Sequence, residues 1–270
     1  MMISILGCGW YGKALATALL KKGVIVKGST TLPGKLEDLR AIGVQQYIIK
    51  FGPGTEVIDP DFFECDILVI SIPPKLKSGS GQSYLSKIQR IIKTCVQYEV
   101  NKVIYISSTG VYGDHNSEVN ELTDPNPDIE SERILFDAEK LIQKEQSFKT
   151  TIIRFGGLIG PGRHPGRFFA GKTNIPNGMA PVNLIHLQDC ARITMAVIEQ
   201  SAFGYLFNAV SPDHPAKADY YREMSLRANL QAPGFVNELK NWKVVNSINL
   251  ARILKYVFVV DDLTGQSVDL

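Results

Sequence analysis

The sequence predicts an α/β chain built on a doubly wound parallel sheet, with a smaller lobe toward the C-terminus. Three observations carry this. Apolar runs of strand length alternate with helical stripes up to about residue 155. Three glycines stand on the first strand-to-helix turn. Beyond residue 155 the alternation gives way to Gly- and Pro-rich segments.

In order, the apolar runs predict strands at Ile3–Leu6, Val24–Gly28, Gln46–Ile49, Ile67–Ile72, Val103–Ser107 and Thr151–Arg154. Helical spacing predicts helices between them at Gly12–Lys22, Leu36–Ile42, Ser83–Glu99 and Ser131–Glu145. In Ser83–Glu99 the residues Tyr84, Leu85, Ile88, Ile91, Ile92, Cys95 and Val96 form one apolar stripe, the pattern of core packing. Gly156-Gly157, Gly160-Pro161-Gly162, Pro165-Gly166 and Pro176-Asn177-Gly178 then mark a long irregular stretch. Such loops are commonly functional, and 160–182 is expected to be poorly ordered until a ligand binds. Helices follow at Asp189–Glu199 and Lys217–Ala228, with short strands near Leu206–Val210 and Lys243–Val245, and these are assigned to the second lobe. The domain reading is 1–160 for the sheet domain and 161–270 mostly for the substrate-side lobe, with elements returning to the core.

The glycine turn reads Gly7-Cys8-Gly9-Trp10-Tyr11-Gly12, between a strand and a helix. In a Rossmann-type dinucleotide site the first glycine permits the tight turn, the second lets backbone approach a pyrophosphate, and the third lets helix and strand pack closely. The helix N-terminus then offers free N–H groups to the phosphates. An NAD site places an acid about 20 residues further on to hold the ribose 2′-hydroxyl. Here Thr30 stands at that place, with Ser29, Thr31 and Lys35 beside it and no acid before Glu37. NADP is therefore the expected cofactor, with NAD as the other possibility; Ser-Thr-Thr acting only as a helix cap is the competing reading. Ser71-Ile72-Pro73 and Ser107, at the ends of the fourth and fifth strands, complete the expected cofactor contacts.

Composition excludes several classes of function. A net charge of +2 with interspersed signs gives no footprint for nucleic acid. No apolar run reaches the length of a membrane span and no leader pattern opens the sequence, so a cytoplasmic location is expected. Cys8, Cys65, Cys95 and Cys190 lack zinc or redox spacing and suit reduced thiols. With His115, His164, His186 and His214 scattered, no histidine metal site is expected. Gly79-Ser80-Gly81 is only a partial, loop-like version of a nucleophile elbow.

Ser107-Ser108-Thr109-Gly110-Val111-Tyr112-Gly113, the run from Arg154 to Gly160-Pro161-Gly162-Arg163, and Ile185-His186-Leu187-Gln188-Asp189 together resemble the extended short-chain dehydrogenase/reductases, the epimerase/dehydratase branch. The resemblance covers nearly the whole chain. It implies NAD(P) binding, a C-terminal substrate lobe, and a small polar substrate such as a sugar or nucleotide sugar. In that family the helices matching Ser83–Glu99 and Ser131–Glu145 form a dimer bundle, so a homodimer is among the implied arrangements.

The catalytic part of the resemblance fails. The family uses Tyr and Lys four residues apart on the helix after the fifth strand, where Lys lowers the phenol pKa. Matching Ala138-Glu139 to the family's Ala-Glu puts Ser131 and Leu135 at those places, and counting from Ser108 puts Arg133 and Asp137 there. The chain thus looks like an atypical member that keeps the nucleotide site. Ser108 matches the family's carbonyl-binding Ser, and a turn serine bonding local backbone is the alternative. Tyr112 is the substitute acid/base candidate, against a buried aromatic with its hydroxyl satisfied. Arg133, Arg154, Arg163 and Arg167 are the candidate substrate cations, since Arg suits phosphate and carboxylate; solvated loops or a buried ion pair would be the ordinary alternatives. Two classes of function stay open: an NADP-dependent reductase or epimerase-like enzyme, and a non-catalytic NADP-sensing regulator.

Overall fold

A computed structural model describes residues 1–52, 56–74 and 81–265. The strands are β1 (Met2–Leu6), β2 (Ile25–Thr30), β3 (Gln45–Ile48), β4 (Ile67–Ile70), β5 (Lys102–Ser108), β6 (Ser117–Val119), β7 (Lys149–Phe155), β8 (Gly157–Ile159), β9 (Leu184–His186), β10 (Leu206–Ala209) and β11 (Lys243–Val245). The helices are α1 (Trp10–Leu20), α2 (Leu36–Arg40), α3 (Pro60–Phe63), α4 (Gly81–Gln97), α5 (Glu130–Lys144), α6 (Gly166–Phe169), α7 (Leu187–Glu199), α8 (Lys217–Arg227) and α9 (Asn249–Arg252).

Seven parallel strands form the main sheet in the order β3-β2-β1-β4-β5-β7-β10. The chain builds outward from β1 to β3 and then crosses back to β4 on the other side of β1. This reversal opens a crevice at the carboxyl ends of β1 and β4, where open α/β sheets take their ligands. Side chains alternate across the sheet. Ile3 and Ile5 face a layer containing Leu15 and Leu19 of α1 and Ile193 and Val197 of α7. Leu6, Leu68 and Ile70 face the opposite layer, with Ile88, Ile91 and Cys95 of α4 and Ala138 and Ile142 of α5.

Two expectations change here. Leu206–Ala209 belongs to the main sheet beside β7, and α7 packs on α1, so both return to the sheet domain. Their apolar faces are the reason: Phe207, Ala209, Ile193 and Val197 are buried in the α1-side core. The stretch 160–182 is also no free lid. Gly171 and Ile175 donate backbone hydrogen bonds to Gln231 and Gly234, while Lys217 donates to Ala180. Short α6 packs on α8, and Ser225 Oγ fixes it by donating to the Gly166 carbonyl at 2.8 Å. These bonds tie the stretch to the smaller lobe, which also holds the β8–β9 and β6–β11 pairs. Among the described residues no helix is long and apolar enough to cross a membrane.

Candidate functional site

The turn between β1 and α1 is shaped by its glycines. Gly7 has φ +88°, and a Cβ there would lie 2.8 Å from both the Ser71 carbonyl and Ile72 Cγ2. Only glycine meets both demands without strain. The Gly7 N–H donates to Ser29 Oγ at 3.1 Å and the Cys8 N–H to the Ser29 carbonyl at 2.8 Å, which locks the turn to β2. At Gly12 a Cβ would press to 3.2 Å against the Gly7 carbonyl and Ile5, so helix and strand pack closely.

Gly9 differs, since a Cβ there would meet nothing within 4 Å. No side chain caps α1, and its first turn holds no acid. Open space before an uncapped helix N-terminus is what a pyrophosphate needs, because the N–H groups and the helix dipole both favour an anion there. The residues present therefore fit a dinucleotide. When bound, a nicotinamide dinucleotide would supply hydride chemistry; Gly9, Trp10 and Tyr11 would hold it through backbone.

Beside the turn lies a crevice of ≈ 250 Å³. It is lined by Leu6 and Gly7 at the glycine turn, by Ser29, Thr30 and Thr31, by Ile49, Lys50, Phe51 and Gly52, and by Ile72 and Lys87. Among the described residues no carboxylate lines it. Of the two acids in the first turn of α2, Glu37 and Asp38, the second is held by Lys13 of α1 at 2.9 Å, and that contact keeps its carboxyl below the usual range. Lys50 and Lys87 were not legible as site residues, because neither belongs to a local motif and only the sheet topology brings them to Thr30. A larger, more open depression of ≈ 450 Å³ in the smaller lobe is lined by Asp213, Asp261 and Asp262 among others, a surface that repels an anionic nucleotide.

The other expected cofactor residues divide. Cys8 is buried, and burial pushes its thiol up to about 12, so it serves packing rather than chemistry. The Tyr11 side chain is a core element, with its hydroxyl 2.7 Å from Thr194 Oγ1 and its ring edge-on to Phe155. Lys35 sits on an exposed 3-10 turn shortly after this crevice's Thr31 in the chain and is not among the crevice-lining residues. Thr30 Oγ1 accepts from the Leu32 N–H at 3.2 Å, so the local turn and the crevice wall are one feature. Ser71 hydrogen-bonds back to β1, and Pro73 is exposed at the rim.

At the end of β5, the expected catalytic residues are placed otherwise than the sequence suggested. Tyr112 is buried, with its hydroxyl 2.9 Å from the Asn120 carbonyl and 3.0 Å from Asn208 Oδ1. Burial raises its pKa, with Arg154 only partly opposing. It is a core tyrosine with its hydroxyl satisfied, unlike the free acid/base expected from the sequence. Arg154 is likewise buried and donates to Glu139 through Nε at 3.0 Å and Nη2 at 2.6 Å, while its guanidinium lies 4.8 Å from the Tyr112 ring centre. The sequence suggests a free cation here, and the structure instead has the guanidinium paired in the interior. Ser108 Oγ accepts from the Gly110 N–H at 3.1 Å and is half-buried. Ser107 Oγ is buried with no hydrogen-bond partner among the described residues.

Arg133 is exposed and reaches the Asp128 carbonyl at 3.4 Å. Arg167 is exposed on α6. Arg163 lies 4.9 Å from the ring of Trp10, whose Nε1 donates to the Pro161 carbonyl at 2.8 Å. That loop thus lies over the glycine turn, and of the four arginines Arg163 is the one the structure brings to α1. His186 caps α7 through Nδ1, and Asp189 accepts from Tyr256 Oη, Val259 N and Val260 N, which anchors the C-terminal segment. Gly79 and Ser80, of the partial elbow motif, lie outside the described residues. No group of three or more His, Cys, Asp or Glu side chains that could hold a metal occurs among the described residues.

Sheet order and glycine turn are those of a Rossmann-type α/β fold. No protein-family model matches the chain. Protein YeeZ of Escherichia coli strain K12 is 35% identical over 245 residues, covering 89% of each chain, and the present chain belongs to its family. Among solved structures, a functionally unknown conserved protein from Silicibacter pomeroyi matches with a TM-score of 0.80, at 24% identity, over 97% of this chain and 95% of the other. UDP-glucuronic acid 4-epimerase from Bacillus cereus, solved with NAD, matches with a TM-score of 0.79, at 19% identity, over 98% and 96%.

Proposed function

We propose that this chain binds NADP(H) across the glycine turn and the adjoining crevice, and acts as a nucleotide-sensing protein that does not use the Tyr–Lys proton transfer of its fold family. The observation that carries the reading is the crevice lining: Ser29, Thr30 and Thr31 share it with Lys50 and Lys87, and among the described residues no carboxylate lines it. A ribose 2′-phosphate finds donors and cations there, whereas the acid that would grip a 2′-hydroxyl is missing. Against hydride chemistry stands the burial of Tyr112 and Arg154, which occupies the candidate proton donor and cation in packing. A general acid must reach the reacting atom.

A second reading, an NADP-dependent reductase or epimerase-like enzyme on a small polar substrate, is favoured by one observation. Ser107 keeps a buried hydroxyl without a partner at the carboxyl end of β5, next to Ser108. A buried orphan donor costs stability, so it is a reasonable place to look for a ligand contact. The NAD complex of the Bacillus cereus epimerase adds support from fold alone.

Calorimetric titration with NADPH and NADH, followed by a screen of sugars, nucleotide sugars and small carbonyls for NADPH oxidation, tests both. Tight NADPH binding with no oxidation supports the sensor. Turnover with any substrate class moves the assignment to the enzyme, and absence of nucleotide binding rejects both.

A further inference from the structure

Lys50 and Lys87 come from distant parts of the chain, one just after β3 and the other on α4, and meet at a single crevice. Both are half-buried. Neither forms an ion pair among the described residues, although Arg90, one turn further along α4, pairs with Glu56 at 3.7 Å and bonds the Gly52 carbonyl. Lys13, likewise near the site, is already neutralised by Asp38. An anion seated in this crevice would meet two cations that have no ion-pair partner among the described residues. Lysine serves that purpose as a compact point charge.

The position identifies the anion. The pyrophosphate belongs at Gly9–Tyr11, and none of these three residues lines the crevice. What the crevice adjoins is the end of β2, where a dinucleotide turns its adenine-side ribose. We infer that Lys50 and Lys87 together bind the 2′-phosphate of NADP(H) and set the cofactor preference of this protein, with Thr30 and Thr31 as hydroxyl donors and Lys35 playing no part. The inference rests on the NADP reading above and assigns its discriminating residues.

The test compares Lys50→Met, Lys87→Met, the double variant and Lys35→Met, each checked for unchanged thermal unfolding, by titration with NADPH, NADH and adenosine 2′,5′-bisphosphate. Methionine keeps the apolar stem and removes the charge. Each crevice lysine should contribute on the order of 10-fold to affinity for NADPH and the bisphosphate, the scale of a charge-assisted hydrogen bond, while NADH binding and Lys35→Met stay level. Should either single variant unfold, Lys→Gln at the same position gives the same readout. Equal losses for NADPH and NADH would mean the lysines contact adenine, and would overturn the inference. Retained NADPH preference in the double variant also overturns it while leaving the NADP reading intact; tighter NADH binding by the unmutated protein overturns both.

Discussion

Arg154 on β7 and Glu139 on α5 form a two-bond ion pair inside the protein, at 4% and 0% residue exposure. Burial alone would lower the guanidinium's pKa, but Glu139 and Tyr112 together oppose it and the net direction is upward. The pair joins sheet and helix under Tyr112. Breaking such a pair leaves one buried charge uncompensated, at about 3–5 kcal/mol. Glu139→Gln and Arg154→Met should each lower unfolding free energy on that scale in denaturant titration. Both should leave NADPH affinity unchanged once folded, and a selective loss of binding by Arg154→Met would restore it as a ligand residue.

Tyr112→Phe separates structure from chemistry in the same place. Its hydroxyl serves Asn120 and Asn208, so removal should cost about 1–2 kcal/mol of stability. Under the packing assignment any nucleotide-dependent activity persists in the variant. A loss of turnover with stability intact would contradict it.

The contrast between Gly7 and Arg154 shows what the sequence could and could not disclose. The parallel sheet, the glycine turn and the Ser29–Thr31 wall were legible because each depends on local pattern: period-2 and helical stripes, and glycines at fixed spacing. Arg154 looked like a substrate cation because its partner lies on a helix 15 residues earlier and nothing in the spacing announces a buried pair. Lys50 and Lys87 were missed for the same reason, since only the crossover from β3 to β4 brings them together. The stretch 160–182 reads as a loose lid from its Gly and Pro content, yet its backbone bonds go to residues such as Gln231 and Gly234, far along the chain.

Thr30 offers a one-residue test of the proposed cofactor choice. Thr30 accepts a turn hydrogen bond from Leu32 through its side chain, and Asp can make the same bond, so Thr30→Asp should fold normally. Its carboxylate would repel a 2′-phosphate and accept from a 2′-hydroxyl, so NADPH affinity should fall on the order of 10- to 100-fold and the preference should pass to NADH. Gly9→Ala gives the complementary result. Its added Cβ meets no protein atom within 4 Å, so stability should hold while both nucleotides bind more weakly. Unchanged titrations for Gly9→Ala would displace the pyrophosphate from this turn.

Acid should loosen the loop after β8 through His164. Its Nδ1 accepts from the Gly166 N–H at 3.0 Å, which requires the ring to be unprotonated there. Burial, aided by Arg167, lowers its pKa below the ordinary 6.5. The unfolded chain therefore binds the proton first, so this contribution is full above about pH 6.5 and is lost as pH falls through the lower folded value. NMR titration should place His164 below 6.5, with Gly166 amide exchange rising over the same range. A His164 titration at or above the ordinary value would remove the effect.

The loop after β8 reaches α1 through the Trp10 side chain. Trp10 opens α1, donates through Nε1 to the Pro161 carbonyl at 2.8 Å, and carries the Arg163 guanidinium 4.9 Å from its ring centre. Both links depend on one side chain, so truncating it frees the Gly160–Arg163 turn while the Arg163 N–H still bonds the Gly160 carbonyl. Trp10→Phe keeps a ring for Arg163 and loses one hydrogen bond worth about 0.5–1.5 kcal/mol, so hydrogen exchange at residues 161–164 should quicken roughly 2- to 10-fold. Trp10→Ala removes the cation–π contact as well and should quicken it further. Residues 172–180, tied instead to Gly234, Val236 and Glu238, should not change in either variant. If NADPH gains the aid of Arg163 through this strap, Arg163→Met should weaken NADPH and NADH alike, because the pyrophosphate is common to both. A change confined to NADPH would place Arg163 at the 2′-phosphate, and equal exchange rates in Trp10→Ala and the unmutated protein would show that the strap does not hold the loop.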